Sequence, residues 1–261
     1  MFKATKCPKC GFVSETVIED CPSCGIIVEK YLLREKQRGA QPTISSGRSQ
    51  ELTGPCTAET GDWLPPLKQL VFTIPDSISP IGYWGRVLLL LILLFLSLRF
   101  TLASVGSNVA GGSFLHLVNL PFHEAGHLIF SPFGRLAGSL GGTLGQLMIP
   151  TVCLLVFLFR TRDAYSASIS LWWLGENFMD IAPYINDARA GVLPLLGGNT
   201  GQSAPYGFHD WQFILSETGL LGYDQQLARL SSAIGAFLMV VGLTWGGLLL
   251  YKSYYKMGAA R

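Results

Sequence analysis

The chain has 261 residues, of which 49% are apolar and only 14% charged, with a formal net charge of +2 and a mean hydropathy of +0.37. Soluble domains carry roughly 25% charged residues, so this composition points to a membrane protein. The near-neutral charge is spread along the chain, which argues against nucleic acid as the main partner.

The N-terminus runs from Met1 through Lys3 and Lys6 straight into a cysteine pair, without the pattern of a cleavable signal peptide. Four of the six cysteines form two CxxC units, Cys7-Pro8-Lys9-Cys10-Gly11 and Cys21-Pro22-Ser23-Cys24-Gly25, with ten residues between Cys10 and Cys21. This is metal spacing and not a secreted disulfide framework, so it favours a reducing compartment and a cytoplasmic ribbon. Each unit can fold a tight turn around two thiolates, so that Cys7, Cys10, Cys21 and Cys24 enclose one structural Zn2+. The pair resembles a short β zinc ribbon of the rubredoxin-knuckle type. So small a module depends on its metal for folding. Of the other two cysteines, Cys153 falls in an apolar run and reads as a buried small hydrophobe, and Cys56 falls in a linker.

Residues 26–38 carry apolar side chains at helical spacing and then basic ones, predicting a short amphipathic helix on the ribbon. Residues 1–38 hold seven Lys/Arg against five Asp/Glu, which makes no basic face for nucleic acid. A protein partner suits the ribbon better. Residues 39–62 are rich in Gly, Ser, Thr, Gln and Pro and read as a flexible linker. Residues 63–261 then form the membrane domain, and 63–85 mix Pro, aromatics and Ile as if lying along the membrane surface before entry.

The expected membrane domain is all-α and polytopic, with about four to five transmembrane or re-entrant helices. Residues 87–98 are almost wholly Leu, Ile, Val and Phe, and the candidate span continues to about residue 105, with Arg99 near an end where it can snorkel. Residues 113–130 are a weaker candidate, since His116, Asn119, Pro121, His123, Glu124 and His127 must face protein, metal or water. The third candidate, 140–159, is uncharged, and Pro150 is a possible kink. The fourth, 164–181, carries Glu176, Asn177 and Asp180, and the fifth, 230–251, is uncharged and stops at Lys252. Between these last two, 182–229 reads as a long loop folded over something. Five crossings with a cytoplasmic N-terminus would place Arg160, Arg162 and the Lys252/Lys256/Arg261 tail outside. A re-entrant 113–130 segment places them inside, as the positive-inside tendency prefers.

The chemistry centres on His123-Glu124-Ala125-Gly126-His127. Positions i and i+4 share a helix face, so both imidazoles can reach one zinc ion while Glu124 points at a zinc-bound water as general base. Catalytic zinc needs a third protein ligand and an open position. With the later stretch Glu176-Asn177 through Pro183 to Asp187-Ala188, the chain resembles the site-2 protease family of intramembrane zinc metalloproteases over residues 110–190. That resemblance implies His123, His127 and Asp187 as metal ligands and Glu124 as general base. Asn177 is a candidate for holding substrate backbone or the oxyanion. Asp180 and His209 stand as rival third ligands, His209 because it is followed by an acid, Asp210. His116 lies near the same helix face as the motif and reads as a hydrogen-bonded core histidine. Glu176 reads as satisfying neighbouring polar groups, and the Trp172-Trp173 pair as an interfacial anchor or packing.

The expected function is therefore hydrolysis of peptide bonds in membrane-associated protein or peptide substrates, within the lipid bilayer. A non-catalytic membrane adaptor or zinc-responsive scaffold, whose ribbon binds a partner, is the rival class. A metal-dependent hydrolase acting on a lipid or small molecule is a third.

Overall fold

The computed structural model describes residues 5–10, 12–14, 16, 20–24, 26–32, 67–75 and 78–259. The chain divides into two units, Met1–Thr60 and Gly61–Arg261. The expected linker and the end of the expected amphipathic helix, residues 33–38, lie outside the described residues.

In the first unit the two cysteine knuckles repeat one design at an offset of fourteen residues. Cys7 N donates to Phe12 O at 2.7 Å, and Cys21 N donates to Ile26 O at 2.9 Å. Antiparallel bridges flank each turn, Lys6 with Val13 and Asp20 with Ile27. The expected β ribbon is thus reduced, among the described residues, to isolated bridges without a strand. Residues 28–32 form a helical turn after the second knuckle.

The second unit is helical. Its elements are α1 (Leu67–Phe72), α2 (Pro80–Leu102), α3 (Phe114–Phe130), α4 (Arg135–Leu155), α5 (Ala164–Asn186), α6 (Asp210–Glu217) and α7 (Asp224–Ala259). A π-helical turn, Val156–Arg160, extends α4. Three helical stretches are long and apolar enough to cross a membrane: Pro80–Leu102, Arg135–Arg160 and Leu221–Gly258. This is a membrane protein by that measure.

Local signals explain where the helices differ from expectation. Helix α2 begins at Pro80, earlier than the apolar run, because Ser79 caps it through Gly82 N and proline suits a first helical position. Asp163 caps α5 by accepting from Ser166 N at 3.2 Å. Helix α5 continues past residue 181 to Asn186, and α6 and the early start of α7 shorten the expected 182–229 loop. The HEAGH segment is one unbroken 17-residue helix with Pro121 inside it. At 1.5 Å per residue it is about 25 Å long, short of a hydrocarbon core of about 30 Å.

Helix α5 is the buried centre, packed against α7 along its length and against α4. Trp172 on α5 shares a core with Leu93, Phe100, Met179 and Met239 and donates to Ser97 Oγ at 2.7 Å. Helices α3 and α4 meet through small residues, the way membrane helices bring backbones together. A Cβ on Gly141 would lie 2.6 Å from Gly126 O, so only glycine permits that approach.

Candidate metal centre

The α3–α4 contact puts both motif histidines against α4. His127 Nδ1 lies 2.8 Å from Gly138 O, and a carbonyl can only accept, so Nδ1 carries the hydrogen. His123 Nδ1 likewise donates to Gln146 Oε1 at 3.1 Å. Both rings therefore keep Nε2 for a ligand, in the arrangement by which metal-binding imidazoles are fixed. The two Nε2 atoms converge on one carboxylate oxygen: Asp210 Oδ2 lies 3.3 Å from His123 Nε2 and 3.2 Å from His127 Nε2. His123, His127 and Asp210 could hold a metal ion, their ligand atoms lying within 4.8 Å of one another.

Space for the rings comes from Gly142, where a Cβ would stand 2.6 Å from each Nε2. Asp210 is the first residue of α6, which Arg135 of α4 pins by placing its guanidinium 5.0 Å over the Phe213 ring. Burial pushes the Asp210 carboxyl upward, but the contacts with His123 and His127 outweigh this and hold it below its ordinary value. The centre opens on a cavity of about 1030 Å³ whose walls include Glu124, His116, Thr143, Gln146 and Asp180. Glu124 makes no hydrogen bond among the described residues, which leaves its carboxylate to the cavity.

The structure places the expected third ligand elsewhere. Asp187 stands outside the group and does not line the cavity. Its oxygens accept from Val192 N at 3.0 Å and Leu193 N at 2.9 Å, and His209 Nε2 lies 3.4 Å from Oδ2. Asp187 is committed to shaping the loop that ends at Asp210. His209 is 2% exposed and caps α6, its Nδ1 accepting from Gln212 N at 3.2 Å. Asn177 is also removed from the cavity. It is fully buried and donates to Trp173 O at 2.9 Å, one turn back on its own helix.

Asp180, the other rival, sits behind the centre and supports it. Its Oδ2 accepts from Gln146 Nε2 at 2.9 Å and from Asn119 Nδ2 at 3.2 Å, and Oδ1 lies 2.9 Å from His116 Nδ1. Asn119 also donates to Glu176 Oε2 at 3.0 Å and accepts from Trp173 Nε1 at 2.9 Å. Gln146 therefore links a buried carboxylate to a motif histidine. Neither Gln146 nor Asp210 stood out in the sequence. The signal for Asp210 was its place beside His209 and before the apolar Trp211–Leu215 run, a pattern equally explained by an acid at a helix start.

The cysteine group of the first unit forms a second candidate. Cys7, Cys10, Cys21 and Cys24 could hold a metal ion. Cys7 and Cys24 sulfurs lie 3.7 Å apart, and those of Cys10 and Cys21 3.6 Å. A tetrahedron with metal–sulfur bonds of about 2.3 Å has edges of about 3.8 Å, and these two separations match two of its edges. No family model matches the chain, and neither curated proteins nor solved structures show a match.

Proposed function

We propose that the chain is a membrane-embedded zinc metallopeptidase cleaving membrane-associated peptide substrates, with Asp210 as third ligand and Glu124 as general base. The observation that supports it most is the convergence of two tautomer-fixed Nε2 atoms and one carboxylate oxygen on the wall of a large cavity. Two imidazoles and a carboxylate with an open fourth side are the donor set of catalytic zinc sites. Zinc, when bound there, polarises a carbonyl and makes water a nucleophile near neutral pH. Glu124 takes the proton from the attacking water as its oxygen bonds to the carbonyl carbon and the carbonyl π electrons move onto oxygen, then gives that proton to the amine nitrogen as the carbonyl re-forms and the carbon–nitrogen bond breaks. Gln146 and Gly138 hold the rings, and Asp187 and His209 hold the loop that presents Asp210. The cysteine module carries a structural zinc and serves as a docking element for a protein partner.

Metal counting on the full chain in detergent tests this. Two zinc ions per chain are expected, falling to one in Asp210→Asn and in the His123→Ala/His127→Ala double variant. Glu124→Gln should retain both and lose peptide cleavage. A count that survives the histidine replacements, or cleavage that survives Glu124→Gln, refutes the assignment.

A further inference from the structure

The ends of the long helices gather into two groups. At one, Tyr83 near the start of α2 meets Tyr254 near the end of α7, with ring centroids 6.2 Å apart. Tyr165, in the first turn of α5, donates from its hydroxyl to Arg86 O of α2 at 2.6 Å. The π-helical turn that extends α4 closes at Arg160, just before α5 begins. At the other end, Arg189 beyond α5 pairs with Asp224, the first residue of α7, at 2.7 Å. The metal centre lies toward this second end, because Gly138 and Gly142, which face the motif histidines, stand near the start of α4. Gly142 is eighteen residues from Arg160, about 27 Å along a helix. A hydrocarbon core is about 30 Å thick, so with Arg160 at one boundary the centre lies close to the other.

The two ends differ in charge. Lys252 of α7 places its ammonium 4.1 Å over the Phe72 ring, which brings α1 and its Lys68 to the Arg160 end. Among the described residues that end carries Lys68, Arg86, Arg160, Arg162, Lys252 and Lys256 against one acid, Asp163, which caps α5. The far end mixes Arg99, Arg135, Arg189 and Arg229 with five acids, three of them Asp187, Asp210 and Asp224. Trp84, Tyr251, Tyr254 and Tyr255 are exposed beside the basic group. Such rings anchor a helix end at the membrane surface, and an excess of Lys and Arg faces the cytoplasm, where the leaflet is anionic. The cavity faces the opposite way. Its walls include Leu196 and Phe208, 66% and 65% exposed, on the loop that leaves α5 at the far end.

We infer that the metal cavity opens on the extracytoplasmic face of the membrane, while the basic, aromatic end sits in the cytoplasmic surface. Helices α2 and α5 then cross outward and α4 and α7 inward, with the polar residues of α5 shielded by its neighbours. Helix α3, too short to cross, joins the end of α2 to the start of α4 on the outer side, so no fifth crossing is needed. The substrates are membrane-anchored chains whose scissile bond lies at or just beneath the outer surface. A chain exposed only to the cytoplasm is not cut.

The substrate side rests on the metallopeptidase reading, but the side of access is measured without catalysis. The full chain, with its six cysteines replaced by serine, receives one new cysteine. Phe208→Cys marks the cavity wall, and Gly258→Cys marks the end of α7, where an added side chain meets nothing within 4 Å. In intact cells a membrane-impermeant maleimide should label Phe208→Cys and leave Gly258→Cys unlabelled until the membrane is opened. The reverse pattern, or labelling of both or of neither before opening, overturns the inference. The unaltered chain supplies a second reading that does not depend on the variants inserting. Trypsin should remove the tail beyond Lys252 from inside-out membrane vesicles and spare it in right-side-out ones, and loss of the tail from right-side-out vesicles overturns the inference as well. A reversed orientation in protein that cleaves peptides leaves the metallopeptidase reading standing. The expected orientation in protein that cleaves none removes that reading and leaves the orientation.

Discussion

Gly142 offers the sharpest test of the centre, because it does not line the cavity and carries no ligand atom. An alanine methyl there would stand 2.6 Å from both His123 Nε2 and His127 Nε2. Ordinary contact is about 3.5 Å, so each contact falls short by roughly 0.9 Å and both rings must yield. Zinc sites tolerate ligand displacements of about 0.2 Å. The rings cannot swing freely without losing the Nδ1 hydrogen bonds to Gln146 and Gly138. Disturbing such supports typically lowers metal affinity by 10- to 100-fold, and a methyl acting on both rings should reach about 100-fold. Alanine otherwise favours the helix by about 1 kcal/mol over glycine, so the fold should hold. Gly138→Ala is the control, since its methyl meets nothing closer than Ser131 Cα at 3.4 Å. The assay is competition for zinc against a chromophoric chelator, on a background in which Cys7, Cys10, Cys21 and Cys24 are replaced by serine, with helix content followed by circular dichroism. Equal zinc affinity in Gly142→Ala and wild type would refute the placement of the two Nε2 atoms.

The remaining predictions concern the loop and the cysteine module. Asp187→Ala should keep two zinc ions per chain while losing about 1 to 3 kcal/mol of stability, the cost of stranding the Val192 and Leu193 amides. Thermal unfolding beside metal counting checks this, and a count of one would return Asp187 to the ligand set. In the cysteine module, the backbone N–H of Cys10 is the largest of the effects that hold the Cys7 thiol down to about 6, whereas burial pushes Cys24 up to about 12. Metal capture near neutral pH should therefore release a proton from Cys24 but not from Cys7, and affinity should fall as pH drops, more steeply below about 6 as Cys7 also protonates. Calorimetry in buffers of different ionisation enthalpy, on the His123→Ala/His127→Ala background, counts those protons. Zinc uptake with no proton released would contradict the assigned order.

The motif on α3 and the cysteine pairs were legible because their chemistry lies in local spacing, four residues on a helix or two within a turn. The apolar runs of α2, α4 and α7 were legible for the same reason. The carboxylate that meets the two histidines was not, because Asp210 reaches His123 across 87 residues and its neighbours give it an ordinary reason to exist, as an acid at the start of α6. Asp187 drew attention through its place after Pro183, but the loop geometry that occupies both its oxygens appears only in three dimensions. The ends of α2 and α5 were misjudged for a simpler reason: caps and helix continuity, not hydropathy, set those boundaries.

The acids on α5 also find their purpose only in the folded chain. A carboxylate in the middle of a helix buried by others is costly unless donors surround it. Asp180 meets three, from His116, Asn119 and Gln146. One of these donors, Gln146, turns its other end to His123. An amide held at one end by a buried acceptor cannot flip without stranding both partners, so Asp180 fixes which atom Gln146 presents and, through it, which nitrogen of His123 carries the hydrogen. Had Asp180 been a ligand itself, its oxygens would be spent and His123 would lose this constraint. Set one layer back, it leaves the place beside the two Nε2 atoms to Asp210 at the start of α6.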